Sequence, residues 1–182
     1  MSRIPPLDPN TAEGKAKELL SAVEAKMGSA PNILKTMAQA PAVLQSYLSF
    51  SGALREGILD SKLQEKIALF AAQANQCDYC LAAHTTIAKG AGLEDQAMLD
   101  ARAGKADDAK DQAVLDLAKK IIEKRGFVDD ADLETARSSG LSDPEILEVT
   151  AHVALNTFTN YFNHLVDTDI DFPASPPLNA GE

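Results

Sequence analysis

The chain alternates between stretches with an apolar side chain every three or four residues and short breaks rich in Gly, Pro, Asp and Ser. Apolar side chains at that spacing share one face of an α-helix, so each stretch predicts an amphipathic helix. Gly and Pro mark helix ends, whereas Ser or Asp followed by an acidic residue marks a helix start. These signals predict helices over 10–27, 31–39, 41 to about 54, 62–74, 77–90, 93–102, 107–125, 129–140 and 142 to about 167.

The pattern contains no alternating stretch of useful length, no repeat and no low-complexity linker. Ala and Leu are abundant and only 5% of the residues are aromatic, a composition that favours helix. We therefore expect one all-α domain over residues 1–182, with an extended, proline-containing C-terminal tail from 168 to 182.

Charge narrows the possible partners of the 182-residue chain. Its formal net charge is −10, which repels phosphate backbones, so we expect no nucleic-acid partner. No apolar run approaches the roughly 20 residues that cross a bilayer, and the N-terminus lacks the apolar stretch of a signal peptide. These features predict a cytoplasmic protein that does not insert into membranes.

The residues with chemical potential are Cys77, Cys80 and His84. On a helix, positions i, i+3 and i+7 share a face, so two thiols and a base would lie together. Glu65 precedes Cys77 by twelve residues, about 18 Å along a straight helix. A turn near the polar residues Asn75 and Gln76 would instead let the Glu65 carboxylate fold back towards the sulfurs.

A C-x-x-C pair in a reducing compartment indicates redox or metal chemistry rather than a structural disulfide. Structural zinc takes four ligands, and His152 and His164 are distant in sequence, so we expect no metal. A helix N-terminus and an imidazolium both lower a thiol pKa, and a thiolate attacks the O–O bond of a peroxide. Position on the helix favours Cys77 as the attacking thiol, whereas proximity to His84 favours Cys80.

Other polar side chains have less specific interpretations. Tyr79 suits a packing or pocket-wall position, and His152 suits a structural one. The last predicted helix carries an unusually polar set, which indicates a helix–helix or subunit interface or, as the alternative, a substrate pocket. The set comprises Asn156, Thr157, Thr159, Asn160, Asn163 and His164.

The Glu65…Cys77-x-x-Cys80-x-x-x-His84 motif resembles the alkylhydroperoxidase D-like branch of the carboxymuconolactone decarboxylase superfamily. The similarity covers residues 25–175, and its C-terminal part, from Asn160 to Pro173, resembles the peroxidase-related subgroup. The resemblance implies an oligomeric all-α fold, a trimer or hexamer, and peroxidase or disulfide-reductase activity without metal, haem or another cofactor.

Carried over to this chain, the resemblance implies that Cys80 is the peroxidatic thiol and Cys77 the resolving thiol, with Glu65 and His84 as a proton relay. Members of the family have a second His immediately before the second Cys, where this chain has Tyr79. Lactone decarboxylases of the superfamily are not expected to use a dithiol, so the cysteine pair argues against that reaction.

Peroxidase activity on alkyl hydroperoxides is therefore the leading hypothesis, with a lipoyl or thioredoxin-like dithiol as the reductant. Thiol–disulfide reduction of a partner protein would use the same residues. Decarboxylase or isomerase chemistry would depend on Glu65 and His84 alone. A redox-sensing or structural oligomer is the non-enzymatic alternative.

Overall fold

A computed structural model describes residues 1–178 of the chain. The described part is all helical, as the sequence predicted, and contains no strand. Its helices are α1 (Gly14–Met27), α2 (Asn32–Met37), α3 (Pro41–Arg55), α4 (Ser61–Ala74), α5 (Asp78–Gly90), α6 (Asp95–Arg102), α7 (Ala109–Glu123), α8 (Asp130–Ser138) and α9 (Asp143–Val166). Residues 179–182, the end of the predicted tail, lie outside the described residues.

Local capping chemistry fixes several of these boundaries. The Asp60 carboxylate accepts a bond from the Leu63 N–H at 2.9 Å and begins α4. Ser142 and Glu145 form a capping box at the start of α9. Two long helices start later than the pattern predicted: α1 at Gly14 rather than residue 10, and α7 at Ala109 rather than residue 107. Asp108 caps α7 from outside the helix, which explains the second difference.

The apolar side chains form two main clusters. In one, α1, α2 and α3 pack on α5, and both cysteines belong to this cluster. In the other, α4 packs with α7, α8 and the first half of α9. Helices α4, α5 and α9 contact one another and join the two clusters. The candidate site lies among these three helices.

A tight turn joins α4 to α5. Gln76 adopts a left-handed conformation with φ 57°, and the Cys77 N–H donates to the Ala72 carbonyl at 2.9 Å. These are the features of a Schellman motif, which ends the helix and reverses the chain. Helix α9 holds the turn, because the amide of Asn75 donates to the Asn160 side-chain oxygen at 2.8 Å. The turn places α5 beside α4, as the fold-back prediction required.

The described part of the C-terminal tail, residues 168–178, is not helical and lies against the body. The Asp171 carboxylate accepts from the Asn32 N–H and from the Tyr79 hydroxyl, each at 2.8 Å. Farther along, Arg102 donates to the Pro176 carbonyl at 2.6 Å. These bonds hold the tail against the start of α2, the start of α5 and the end of α6. None of the helices within residues 1–178 is long and apolar enough to cross a membrane.

Candidate active site

The two cysteines stand at the beginning of α5 as free thiols. Cys77 is the N-cap, one residue outside the helix, and its Sγ accepts from the Cys80 N–H at 3.3 Å. Cys77 is 1% exposed and Cys80 3% exposed. Both sulfurs therefore lie in the protein interior, beside the positive end of the α5 dipole.

The surroundings shift the pKa values of the two thiols in opposite directions. A hydrogen bond from the Cys77 thiol lowers the pKa of Cys80, and burial opposes this effect. The positive charge of His84 lowers the pKa further, and the result is about 6. The same bond, together with burial, raises the pKa of Cys77, because its proton is held against the Cys80 sulfur. Because the two shifts have opposite directions, Cys80 is the more acidic thiol and Cys77 holds its proton more tightly. This difference favours Cys80 as the nucleophile, the alternative that proximity to His84 had suggested.

Glu65 on α4 reaches α5 across the tight turn. Its Oε2 lies 2.7 Å from Nδ1 of His84, and the two side chains are 13% and 21% exposed. Burial by itself lowers the pKa of His84, but the charge and hydrogen bond of Glu65 outweigh it, and the net shift is upward. The carboxylate therefore contacts the imidazole rather than the sulfurs. The pair holds a proton close to Cys80.

Asn163 on α9 contacts the thiols from the opposite side. Its Nδ2 donates to the Cys80 Sγ at 3.2 Å and lies 3.9 Å from the Cys77 Sγ. The Asn163 Oδ1 is buried and has no partner within the described residues. From sequence, Asn163 was one member of the polar set on the last helix. Its contact with both sulfurs was not predicted, because Asn163 is more than eighty residues away from the cysteines in sequence.

A cavity of about 370 Å³ adjoins these groups. Cys80, His84 and Glu65 line it, whereas Cys77 does not. The polar set of the last helix divides here: Asn156, Thr159 and Asn163 line the cavity, as the pocket alternative expected, and Asn160 holds the α4–α5 turn. The apolar part of the wall includes Val23, Ile33, Leu34, Leu48, Ala68, Ile87, Leu155 and Phe172.

His152 also lines the cavity, in addition to the packing position expected for it. It is 4% exposed, its Nε2 has no partner within residues 1–178, and burial lowers its pKa. A neutral imidazole at this place can offer a hydrogen bond to a bound molecule. The only sequence signal for this inward position is the helical spacing of His152 from the apolar residue Val149.

Tyr79 occupies the position at which the resembling family carries a second His. Its hydroxyl donates to Asp171 and accepts from the Ile33 N–H at 3.3 Å, and its ring meets Phe172 edge-on at 5.7 Å. Burial raises the pKa of this phenol further above its usual range. Tyr79 is therefore a cavity-wall residue that fastens the tail, and it is not a base near neutral pH.

Within residues 1–178, no three or more His, Cys, Asp and Glu side chains converge in a way that could hold a metal ion.

Part of the chain matches a known protein family. Residues 41–123 match the carboxymuconolactone decarboxylase family, a segment that contains Glu65, both cysteines and His84. A comparison with curated protein sequences gives no significant match.

Solved structures extend the similarity over nearly the whole chain. A peroxidase-related protein of Ralstonia eutropha JMP134 with an alkylhydroperoxidase AhpD core is 25% identical, with a TM-score of 0.84 over 93% of this chain and 92% of its own. A peroxidase-related protein of Silicibacter sp. TM1040 is 23% identical, with a TM-score of 0.79 over 92% of each chain. The debrominase Bmp8, in a cysteine-to-alanine variant bound to 2,3,4-tribromopyrrole, is 19% identical, with a TM-score of 0.78 over 94% of this chain and 92% of its own.

Proposed function

The chain belongs to the carboxymuconolactone decarboxylase superfamily, and from this premise we propose that it is a thiol-dependent peroxidase acting on alkyl hydroperoxides. The observation that carries the proposal is the difference in acidity and position between the two thiols. Cys80 has a pKa of about 6 and faces the cavity, while protonated Cys77 lies behind it. A nucleophile and a resolving thiol in this order are what a peroxide-driven dithiol cycle requires.

The proposed reaction uses the groups in sequence. His84, paired with Glu65, holds the proton that Cys80 has lost. The Cys80 thiolate attacks the distal oxygen of the hydroperoxide, the O–O bond breaks, and His84 protonates the departing alkoxide to an alcohol. Cys77 then attacks the Cys80 sulfenic acid, the S–S bond forms, and the hydroxyl leaves with the Cys77 proton as water.

Burial of the two cysteines restricts which substrates and which reductants can reach them. With Cys77 and Cys80 only 1% and 3% exposed, the disulfide of a folded partner protein cannot reach the thiols without rearrangement. This favours a peroxidase over a protein disulfide reductase. By the same reasoning, a slender dithiol on a long arm, such as a lipoyl group, suits the cavity better than the dithiol of a folded thioredoxin-like protein. We place the cycle in the cytoplasm, where such reductants keep thiols reduced.

The similarity to a debrominase raises a second candidate, thiol-dependent reduction of a small halogenated aromatic compound. The apolar cavity supports it, because the Phe172 ring and a buried thiolate line the same space. In that reaction two thiols would give one disulfide while bromine leaves as bromide and a proton takes its place on the ring. Decarboxylation by Glu65 and His84 alone would need neither cysteine.

The deciding experiment follows thiol loss in pre-reduced protein given about one equivalent of tert-butyl hydroperoxide. Wild type should oxidise rapidly to an intramolecular disulfide, Cys77→Ser should stop at a sulfenic acid, and Cys80→Ser should be inert. Thiols that react no faster than free cysteine would overturn the proposal. A bromopyrrole in place of the peroxide tests the second candidate, and cysteine-independent turnover would indicate decarboxylase or isomerase chemistry.

We also infer a homo-oligomer, for which the family resemblance implies a trimer or hexamer, and the outer face of α9 supports such an interface. Leu147, Phe158, Tyr161 and Leu165 fall on one stripe of this helix and are 43–70% exposed. Large apolar side chains in one stripe are typical of helix–helix contacts between subunits. Sedimentation velocity should show one assembly for wild type and smaller species for Leu165→Glu. A monomeric wild type would refute the inference.

A further inference from the structure

The wall of the cavity differs in charge from the rest of this acidic protein. Lys26 and Arg55 both line it, and neither forms an ion pair or a side-chain hydrogen bond within residues 1–178. The cavity contains one acidic side chain, Glu65, which is occupied by His84. In a chain of net charge −10, two cationic side chains without an ion-pair partner on the wall of one cavity are unexpected.

These cations and the reactive thiol occupy different depths. Lys26 lies in the last turn of α1, Arg55 is the last residue of α3, and both are exposed, so they stand at the rim. Cys80, by contrast, is 3% exposed at the inner wall. The same cavity is also lined by aliphatic side chains, among them Leu48 and Ile87.

Arg55 also acts on groups inside the cavity. Burial raises the pKa of Tyr47, and the charge of Arg55 opposes that rise; the same charge opposes the upward shift of His84. Both effects indicate that the exposed Arg55 guanidinium lies near Tyr47 and His84, in agreement with its place on the cavity wall. An anionic group bound beside Arg55 would therefore lie close to the proton relay but outside the thiol site.

We propose that the hydroperoxide reduced at Cys80 carries an anionic group, a carboxylate on a compact apolar body, which Arg55 and Lys26 bind at the cavity rim. This assignment rests on the proposed peroxidase function and names its substrate class. The apolar body would fill the aliphatic part of the cavity and direct the O–O bond to the sulfur. A guanidinium and an ammonium together suit a carboxylate through charge-assisted hydrogen bonds.

The test compares para-carboxy cumene hydroperoxide with its methyl ester, which differs in charge and little in shape. Pre-reduced protein is mixed with either peroxide at low ionic strength, and the rate constant of thiol oxidation is measured without any reductant. Each rate is divided by that of free cysteine with the same peroxide. Omitting the reductant ensures that recognition of an anionic dithiol cannot contribute.

We expect the acid to oxidise the protein about fivefold to tenfold faster than the ester, from two partly exposed charge pairs. Added salt should reduce this ratio, because exposed charges are screened. Arg55→Gln and Lys26→Gln should each reduce it about twofold to threefold. Lys17→Gln, an exposed cation of α1 that does not line the cavity, should leave it unchanged.

The outcomes separate this inference from the proposed function. If the ester reacts as fast as the acid, the protein is a peroxidase without the anionic specificity and the inference is wrong. If neither peroxide reacts faster than with free cysteine, the proposed function itself fails. An acid preference that survives both Arg55→Gln and Lys26→Gln would also overturn the assignment. Should Arg55→Gln fail to fold, Arg55→Ala and Lys26→Gln give the same comparison.

Discussion

Asn163 offers the sharpest test of how the protein tunes Cys80. Its Nδ2 donates to the Cys80 Sγ at 3.2 Å in a buried site, and this bond is one cause of the lowered pKa. Replacing Asn163 with Ala removes the donor and leaves the sulfurs and His84 in place. The pKa of Cys80 should therefore rise.

The expected size of the rise follows from the energy of the bond. A hydrogen bond to a charged group contributes about 1.5–3 kcal/mol, and one pKa unit corresponds to about 1.4 kcal/mol. Because sulfur is a weak acceptor, we expect the low end, about one unit, from about 6 to about 7. At a pH equal to the present pKa, the thiolate fraction would fall from about one half to about one tenth. Asn163→Asp should raise the pKa further, since it places a like charge beside the thiolate.

The assay is the rate of alkylation of Cys80 by iodoacetamide as a function of pH, with the modified residue assigned by peptide mass spectrometry. The matched control is Asn156→Ala on the same helix: its Nδ2 donates to the His152 carbonyl at 2.8 Å and contacts neither sulfur. The control should keep the wild-type midpoint. A midpoint in Asn163→Ala within a few tenths of wild type, or an equal shift in Asn156→Ala, would refute the reasoning.

Three further predictions concern the relay, the pH dependence and the tail. The rate constant of single-turnover oxidation by hydroperoxide should rise as pH increases through about 6 and then level off. The reason is that the pKa of Cys80 is lowered in the folded protein, so the thiolate forms above that pH. A midpoint near 8.5, the value of a free Cys, would contradict this. Glu65→Gln should lower the pKa of His84 and slow oxidation about a hundredfold in stopped-flow experiments, since burial then leaves the imidazole neutral; a change below threefold would exclude the relay. Tyr79→Phe removes a hydroxyl bonded to Asp171 and should reduce the free energy of unfolding in urea by about 1–2 kcal/mol, whereas an unchanged value would mean that the tail is not fastened there.

Much of the fold was predictable because its signals are local. The capping box at Ser142, the N-cap at Asp60 and the glycines after α1 and α8 each mark a boundary within a few residues. The α4–α5 turn was predicted from its polar residues, but the left-handed conformation of Gln76 was not, because glycine is the usual residue there. Contacts of α4 and α5 with α9, including the bond from Asn75 to Asn160, stabilise a conformation that Gln alone disfavours.

The candidate site was predictable only where its residues are close in sequence. The spacing from Cys77 to His84 placed two thiols and a base together, and the turn brought Glu65 to the imidazole. The contribution of α9 could not be derived, because helical spacing tells which face Asn163 occupies but not which helix that face meets. Likewise, sequence left the order of the thiols open, since it depends on the bond that Cys77 makes to Cys80 in a buried site.

The two faces of α9 suit different tasks in the functions proposed above. Its inner face carries Asn163, which stabilises the Cys80 thiolate, and Asn160, which holds the turn that aligns Glu65 with His84. Its outer face carries exposed apolar side chains such as Leu165 that contact neither thiol. Because the two faces are separate, substitutions at Asn163 should change thiol reactivity without changing the assembly, and Leu165→Glu should do the reverse. Oxidation rates and sedimentation measured on the same two variants would show whether catalysis and assembly are independent, and a loss of reactivity in Leu165→Glu would mean that the site depends on the neighbouring subunit.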